Sequence, residues 1–428
     1  MKIVAFVPAK STSKRIDNKN LSIIDGDYLF RRKLKQLIAC KKIDEVYLDS
    51  DSEYMYKLVE DLPVKFLQRS KELATNKTDG HELFNWESES VDADIYIQAL
   101  CTAPFINSEI IDDAIDKLIA QKEHDSLIAI QSLKQYLWSS NKPDYGLSKI
   151  PQSVDLPSTI VESMSLYMVK SDALHLKRRF GNNPLFYKIS PEAAVDINNH
   201  DDLSFARTVA DGIRSQENLK LKLLQPYINT SMLSDITREL GLELALPRDI
   251  KGSSIFFGRA KTLLIDKLED SKDWRKIYNA LESYNFITAG DVIVVDNKVD
   301  GHAYFGNLNA QLALRSGAVG AVLNSITRDK RDLDKLNFPV FSKGHYCVDI
   351  KHAGVTKKIN TQIKIGKVKI KNGDYIFADQ DGVISIPSEL WPKISDKIIA
   401  KIKKEIDVEL SINLGSSISE ILKGHDGF

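Results

Sequence analysis

The sequence is poor in cysteine, has no net charge and contains no long apolar run. Its 428 residues include three cysteines, Cys40, Cys101 and Cys347, widely spaced and without a CxxC pair. This excludes a disulfide framework or a cysteine-rich zinc cluster and suits a reducing compartment. Lys+Arg and Asp+Glu both number 59, so the formal net charge is zero. A general nucleic-acid binder needs a basic excess, and any phosphate site here must therefore be local. No apolar run approaches the roughly 20 residues of a membrane span. After Lys2 the first apolar run is too short for a signal peptide. Neither an internal repeat nor a low-complexity segment is present. These absences lead to the expectation of a cytoplasmic protein with no nucleic-acid and no membrane partner.

What remains is ordinary globular composition, 43% hydrophobic and 28% charged. The length calls for two or three domains. In the first half, residues 3–7, 46–48, 94–100 and 126–130 read as strands. Residues 28–40 and 108–121 read as helices, the second with Ile111, Ala114, Ile115 and Leu118 on one face and Ser108 as N-cap. Such alternation predicts an α/β fold with a parallel sheet and helices on both faces. Ligands then gather at the carboxyl ends of the strands. A polar stretch at 215–220 reads as part of a linker over 215–227, separating domains 1–214 and 228–428. The second domain has a glycine-rich centre at 301–320, strands near 291–295 and 375–378, and a lysine-rich amphipathic helix over about 388–410.

The first chemistry-bearing stretch follows the opening strand: Val7-Pro8-Ala9-Lys10-Ser11-Thr12-Ser13-Lys14-Arg15-Ile16-Asp17-Asn18-Lys19-Asn20. Small residues let backbone N–H groups approach phosphate oxygens, and the cations Lys10, Lys14, Arg15 and Lys19 neutralise them. The bland alternative is a solvated basic loop. Further stretches follow in order: Leu48-Asp49-Ser50-Asp51, Phe66-Leu67-Gln68-Arg69, Thr102-Ala103-Pro104-Phe105 and Val195-Asp196-Ile197-Asn198. Together, over about residues 1–210, they resemble the acylneuraminate cytidylyltransferases, and the 3-deoxy-manno-octulosonate cytidylyltransferases more distantly. The resemblance implies a Rossmann-like, three-layer nucleotide-diphospho-sugar transferase domain. It implies Lys10, Ser13, Lys14 and Lys19 on the triphosphate of CTP, Lys14 and Lys19 acting in catalysis. Asn20 and Arg69 would face base and ribose, and Asp196 would hold Mg²⁺. Asp51 is as readily a turn cap. The pattern's Arg is Lys10 here, a Gln is Leu100 and a second metal Asp is Asn198. The nucleotide half is better kept than the sugar half, which implies an acceptor other than ordinary N-acetylneuraminate.

A second set lies in the other half: Thr230-Ser231-Met232-Leu233-Ser234-Asp235, Ala289-Gly290-Asp291, Gly306-Asn307-Leu308, Arg328-Asp329, and Asn372-Gly373-Asp374 leading into Ala378-Asp379-Gln380-Asp381-Gly382-Val383. Over about residues 225–420 it resembles the regulator of ribonuclease activity A and the 4-hydroxy-4-methyl-2-oxoglutarate aldolases. The resemblance implies an α/β sandwich. Arg328 can clamp a 2-oxo-acid carboxylate and act in catalysis, and Asp329 can anchor a divalent metal. Backbone groups of Gly306, Asn307, Leu308 and Asn309 would face the anion. Glu405 would complete a neighbour's site in a trimer. The family's aldolases carry an acid where this chain has Asn307, and an amide cannot shuttle a proton. His302 and His345 are candidate substitutes. The Gly290-Asp291 and Gly373-Asp374 pairs read as turn chemistry.

The combined expectation is a CTP-dependent enzyme activating a 2-keto-3-deoxy sugar acid to its CMP-sugar. Its second domain would bind a divalent metal and a pyruvate-like 2-oxo acid. The alternative is a second domain that is a non-catalytic trimerising or regulatory module. A homo-oligomer is expected, by dimerisation of the first domain, trimerisation of the second, or both.

Overall fold

The computed structural model describes residues 1–13, 16–75 and 77–424. The chain forms two compact units, Met1–Ala210 and Asp211–Phe428.

In the first unit a seven-stranded sheet runs in the order Pro184–Lys188, Ser126–Leu133, Thr159–Lys170, Ile95–Ala99, Ile3–Pro8, Glu45–Ser50, Lys65–Gln68. The expected parallel sheet is present with one correction: Thr159–Lys170 runs antiparallel to both neighbours. Alternate residues of the first strand face opposite layers. Ile3, Ala5 and Val7 pack with Phe30, Leu34 and Leu37 of helix Leu29–Ile38 and with Ile111, Ile115 and Leu118 of helix Ser108–Ala120. Val4 and Phe6 pack with Phe84 of helix Gly80–Glu89. The result is the three-layer α/β arrangement expected. The N-cap of helix Ser108–Ala120 is not Ser108 but Asn107, whose side chain accepts the Ile110 N–H at 3.0 Å.

The second unit holds a mixed sheet of seven strands. Phe256–Lys267, Asp291–Asn297, Gly320–Leu323 and Val340–Phe341 are parallel, whereas Tyr375–Asp379, Gly382–Ile386 and Gly354–Ile359 add antiparallel pairings. One face buries Leu263, Ile293, Val295 and Leu323 under helix Asn307–Arg315, through Ala310 and Ala313, and its neighbours. Phe257, Tyr375, Phe377 and Ile386 pack with Leu233 and Ile236 of helix Thr230–Glu239 and with Ile394 and Ile398 of helix Trp391–Asn413. The two expected turns are turns. Gly290 and Gly373 have φ of 86° and 95°, the left-handed region that favours glycine. Asp291 accepts from Thr288 N–H at 2.7 Å and Asp374 from Lys371 N–H at 2.7 Å.

The expected linker is not a loop. Residues 215–224 belong to the helix His200–Leu224, and Gln225–Tyr227 is a 3-10 turn. Within the second unit the helical segment is tied down by Glu217, whose Oε1 accepts from Arg259 Nε at 2.8 Å and from the Tyr375 hydroxyl at 2.7 Å.

Candidate functional site

At the carboxyl end of the central strand lies a cavity of about 250 Å³. Lys10, Lys19, Asn20 and Arg69 line it, four residues separated by up to 59 positions in the chain. Leu73, Leu83 and Leu100 add apolar wall, and Thr75, Thr78 and Asp79 add polar wall. The fold places the cavity where a parallel sheet opens toward ligands. Ser13 is half-buried and is not among the cavity's described lining residues. Lys14 and Arg15 lie outside the described residues.

The loop is braced from several sides. Asp51 receives the Ser11 N–H at 2.8 Å and its hydroxyl at 2.6 Å, so the strand-end carboxylate acts as a turn anchor. Asn20 is buried, and both ends of its amide are engaged: Nδ2 donates to the Lys10 carbonyl at 2.9 Å and Oδ1 accepts from the Cys101 thiol at 3.0 Å. Its observed bonds organise the loop. Burial pushes the Cys101 thiol up to about 11, which keeps it a neutral donor. Lys19 Nζ donates to the Ile197 carbonyl at 3.0 Å, which sets the lysine beside the Asp196 segment. Asp196 is half-buried and accepts from Asn198 Nδ2 at 2.5 Å. Arg69 lines the cavity, and the protein holds it from behind. Its guanidinium is buried and grips Asp49, with Nε donating to Oδ1 at 2.8 Å and Nη2 to Oδ2.

In the second unit, Gly306, Asn307, Arg328 and Asp329 converge. Asp329 Oδ2 accepts the Asn307 N–H at 3.0 Å and lies 3.8 Å from Arg328 Nε. Arg328 Nη2 also pairs with Asp349 at 2.6 Å. Gly306 precedes helix Asn307–Arg315, and a Cβ there would sit 2.5 Å from Asp329 Oδ2. Asn309 Nδ2 donates to the Tyr304 carbonyl at 2.6 Å, an internal bond, and Leu308 is 74% exposed. His302 Nδ1 contacts the Asp300 carbonyl at 2.8 Å. His345 lines a separate cavity of about 720 Å³ with Arg248, Lys251 and Lys343, and burial holds its pKa below the usual value. Glu405 lines a third cavity, about 430 Å³, with Asp235, Lys401 and Lys404.

Residues 4–196 match the cytidylyltransferase family profile, and residues 230–385 match the Aldolase/RraA profile. A putative 4-hydroxy-4-methyl-2-oxoglutarate aldolase of Halalkalibacterium halodurans is 31% identical over 42% of this chain and 82% of that protein. The chain belongs to the Aldolase/RraA family. Joined to that part is a cytidylyltransferase-family segment. The N-acylneuraminate cytidylyltransferase of Escherichia coli O18:K1:H7 is 26% identical over 55% of this chain and 60% of its own length. Protein DlpA of Legionella pneumophila is 30% identical over 46% of this chain, which spans only 33% of that protein.

Among the described residues no group of three or more His, Cys, Asp or Glu could hold a metal ion. Mg²⁺ is commonly bound by one or two carboxylates together with substrate phosphates and waters, and in the cytidylyltransferase segment Asp196 presents one half-buried carboxylate next to Ile197, whose carbonyl Lys19 Nζ contacts. In the Aldolase/RraA segment Asp329, 39% exposed at its side chain, offers a hard oxygen ligand of the same kind. Among the described residues no helix is long and apolar enough to cross a membrane.

Sequence reasoning missed Glu87 and Gln98 and gave no role to Asp49, three buried polar residues behind the cavity wall. A signal was available: Asp49 and Gln98 interrupt apolar strand runs, and a buried polar side chain needs a partner.

Proposed function

We propose that the chain is a CTP-dependent cytidylyltransferase that activates a 2-keto-3-deoxy sugar acid. The observation that carries this reading is the convergence of Lys10, Lys19, Asn20 and Arg69 on one cavity at the strand ends. A hydroxyl of the acid gives up its proton to solvent as its oxygen forms a bond to the α-phosphorus of CTP. The bond from that phosphorus to the bridging oxygen breaks, and pyrophosphate leaves. Lys10 and Lys19 offset the negative charge that spreads over the phosphates, which is the main protein contribution to such transfers. Asp196 would hold Mg²⁺, whose bound form supplies further phosphate neutralisation. The apolar wall of Leu73, Leu83 and Leu100 supports an acceptor less hydroxylated than N-acetylneuraminate on the side facing it. The test is purified full-length protein with CTP, Mg²⁺ and a panel of 2-keto-3-deoxy acids. Pyrophosphate and a CMP-sugar are expected with at least one acid, and release with none of them refutes the reading.

The second unit is read as a binding module for a divalent metal and a 2-oxo acid, with Arg328 for the carboxylate and Asp329 for the metal. The convergence of Arg328, Asp329 and the Asn307 N–H supports it. Asn307 stands against aldol turnover, because its amide neither gives nor takes a proton at neutral pH. Calorimetric titration with Mg²⁺ and oxalate checks the binding; absence of heat leaves a trimerising or regulatory module as the better reading.

A further inference from the structure

Behind the cavity wall, three polar side chains lie in places where the fold otherwise buries apolar ones. Asp49 on strand Glu45–Ser50 and Glu87 on helix Gly80–Glu89 are 0% exposed, and Gln98 on strand Ile95–Ala99 is 1% exposed. Burying such groups costs several kcal/mol on the order of the unpaired polar penalty unless each finds a partner. Asp49 spends both oxygens on Arg69, and its carbonyl also accepts from Nη2 at 3.3 Å. Gln98 Nε2 donates to Glu87 Oε2 at 2.6 Å. Glu87 Oε1 makes no hydrogen bond to a donor, although its carboxyl faces the Asp49 carboxylate.

Two ionised carboxylates facing each other beside one guanidinium would leave a net negative charge buried. A proton on Glu87 removes that charge and turns the orphaned oxygen into a donor toward Asp49. Burial and the neighbouring Asp49 both push the Glu87 carboxyl well above the usual range, in agreement with the geometry. The charged and titratable groups facing Glu87 are Asp49 and Arg69. Arg69 bonds to Asp49 through Nε and Nη2, which leaves the Nη1 donors for the cavity that the side chain lines. With Asp49 offsetting its charge, the guanidinium suits an uncharged acceptor on base or ribose better than a phosphate.

We propose that Glu87 is a positioning residue of the nucleotide site: it donates a hydrogen bond to Asp49, fixes that carboxylate against Arg69, and thereby aims Arg69 Nη1 at the nucleoside half of CTP. This rests on the cytidylyltransferase reading. The full-length protein tests it with Glu87→Ala and Glu87→Gln. Glu87→Ala removes the donor, and KM for CTP rises about tenfold, the worth of one hydrogen bond to a charged group, while kcat changes far less. Glu87→Gln keeps a neutral donor and restores KM to near the wild-type value. Infrared difference spectra of the nucleotide-free protein, wild type against Glu87→Gln, show the carbonyl band of a protonated carboxylic acid at neutral pH. The proposal is overturned if that band is absent, if KM is unmoved in Glu87→Ala, or if Glu87→Gln is as impaired as Glu87→Ala. A wild type that binds and turns over no CTP refutes the cytidylyltransferase reading instead, and the infrared band still decides the state of Glu87.

Discussion

The side chains most suited to holding ligands are already held by the protein itself. Arg69 is clasped by Asp49, Asn20 by Lys10 and Cys101, and Arg328 by Asp349. Each is thereby ordered before a ligand arrives, which lowers the entropy lost on binding. Gly306 shows how tight the second site is. Its φ of −156° is ordinary extended backbone, so conformation does not call for glycine there. Space does: a Cβ would meet Asp329 Oδ2 at 2.5 Å and Arg328 Cγ at 3.1 Å. Gly306→Ala therefore pushes the carboxylate off the Asn307 N–H. We expect a loss of about 1–3 kcal/mol in stability, the usual cost of overpacking, together with weaker Mg²⁺ and oxalate binding. Thermal unfolding and calorimetry of the variant measure both, and an unchanged oxalate affinity would show that Asp329 and Arg328 do not hold that ligand.

Helix and strand ends separate what was legible from what was not. The buried strands Ile3–Pro8 and Asp291–Asn297 announce themselves as apolar runs, because both their faces are covered. The cap of helix Ser108–Ala120 was displaced by one residue, since Asn107 and Ser108 are both good capping types. Only the bond from Ile110 N–H to Asn107 decides between them. Asn107→Ala should cost about 1 kcal/mol and Ser108→Ala a few tenths at most; urea titration of the two variants checks the order. Strand Thr159–Lys170 was not seen because its first half is largely exposed, Ile160, Val161 and Met164 included, so that apolar type and burial do not coincide there, and its register breaks between Glu162 and Tyr167. The segment 215–224 was read as a linker because polar side chains cover most of it, with Leu221 its buried apolar anchor. Of the candidate site, the cationic loop and the Arg328-Asp329 pair could be read from residue type and order. Asp49 and Gln98 stand out singly as polar breaks in apolar strands, but their grouping with Glu87 could not be read, because the three meet only through the packing of two strands and a helix.

Besides Glu87, two buried titratable groups, one in each compact unit, oppose folding, and these two act in different pH windows. In the second unit Asp374 is raised from 3.8 to about 6, chiefly by burial, against backbone bonds from Lys371 and Ser388 that favour its charge. A raised folded value means that its stabilising contribution is complete below about pH 4 and lost as pH rises through about 6. In the first unit Lys33 is 0% exposed, donates to the Ile106 carbonyl at 2.7 Å, and is lowered to about 7 by burial and then by Arg32. A lowered folded value means that its contribution is complete above the ordinary lysine range, near 10.5, and lost as pH falls through about 7. Raising the pH from acid to alkaline thus first weakens the second unit through Asp374 and then strengthens the first through Lys33. Scanning calorimetry across that range should show the second unit's unfolding shifting down between about pH 4 and 6 and the first unit's shifting up between about pH 7 and 10. The variants isolate each term from the other carboxylates. Lys33→Met should gain roughly 2–4 kcal/mol over wild type below pH 7, after allowance for the orphaned Ile106 carbonyl, and lose that advantage toward pH 10. Asp374→Asn forfeits one acceptor for a backbone N–H at every pH, so its deficit should shrink as the wild type weakens between pH 4 and 6. A Lys33→Met advantage that stays constant with pH would mean that the buried amine does not change its charge on folding.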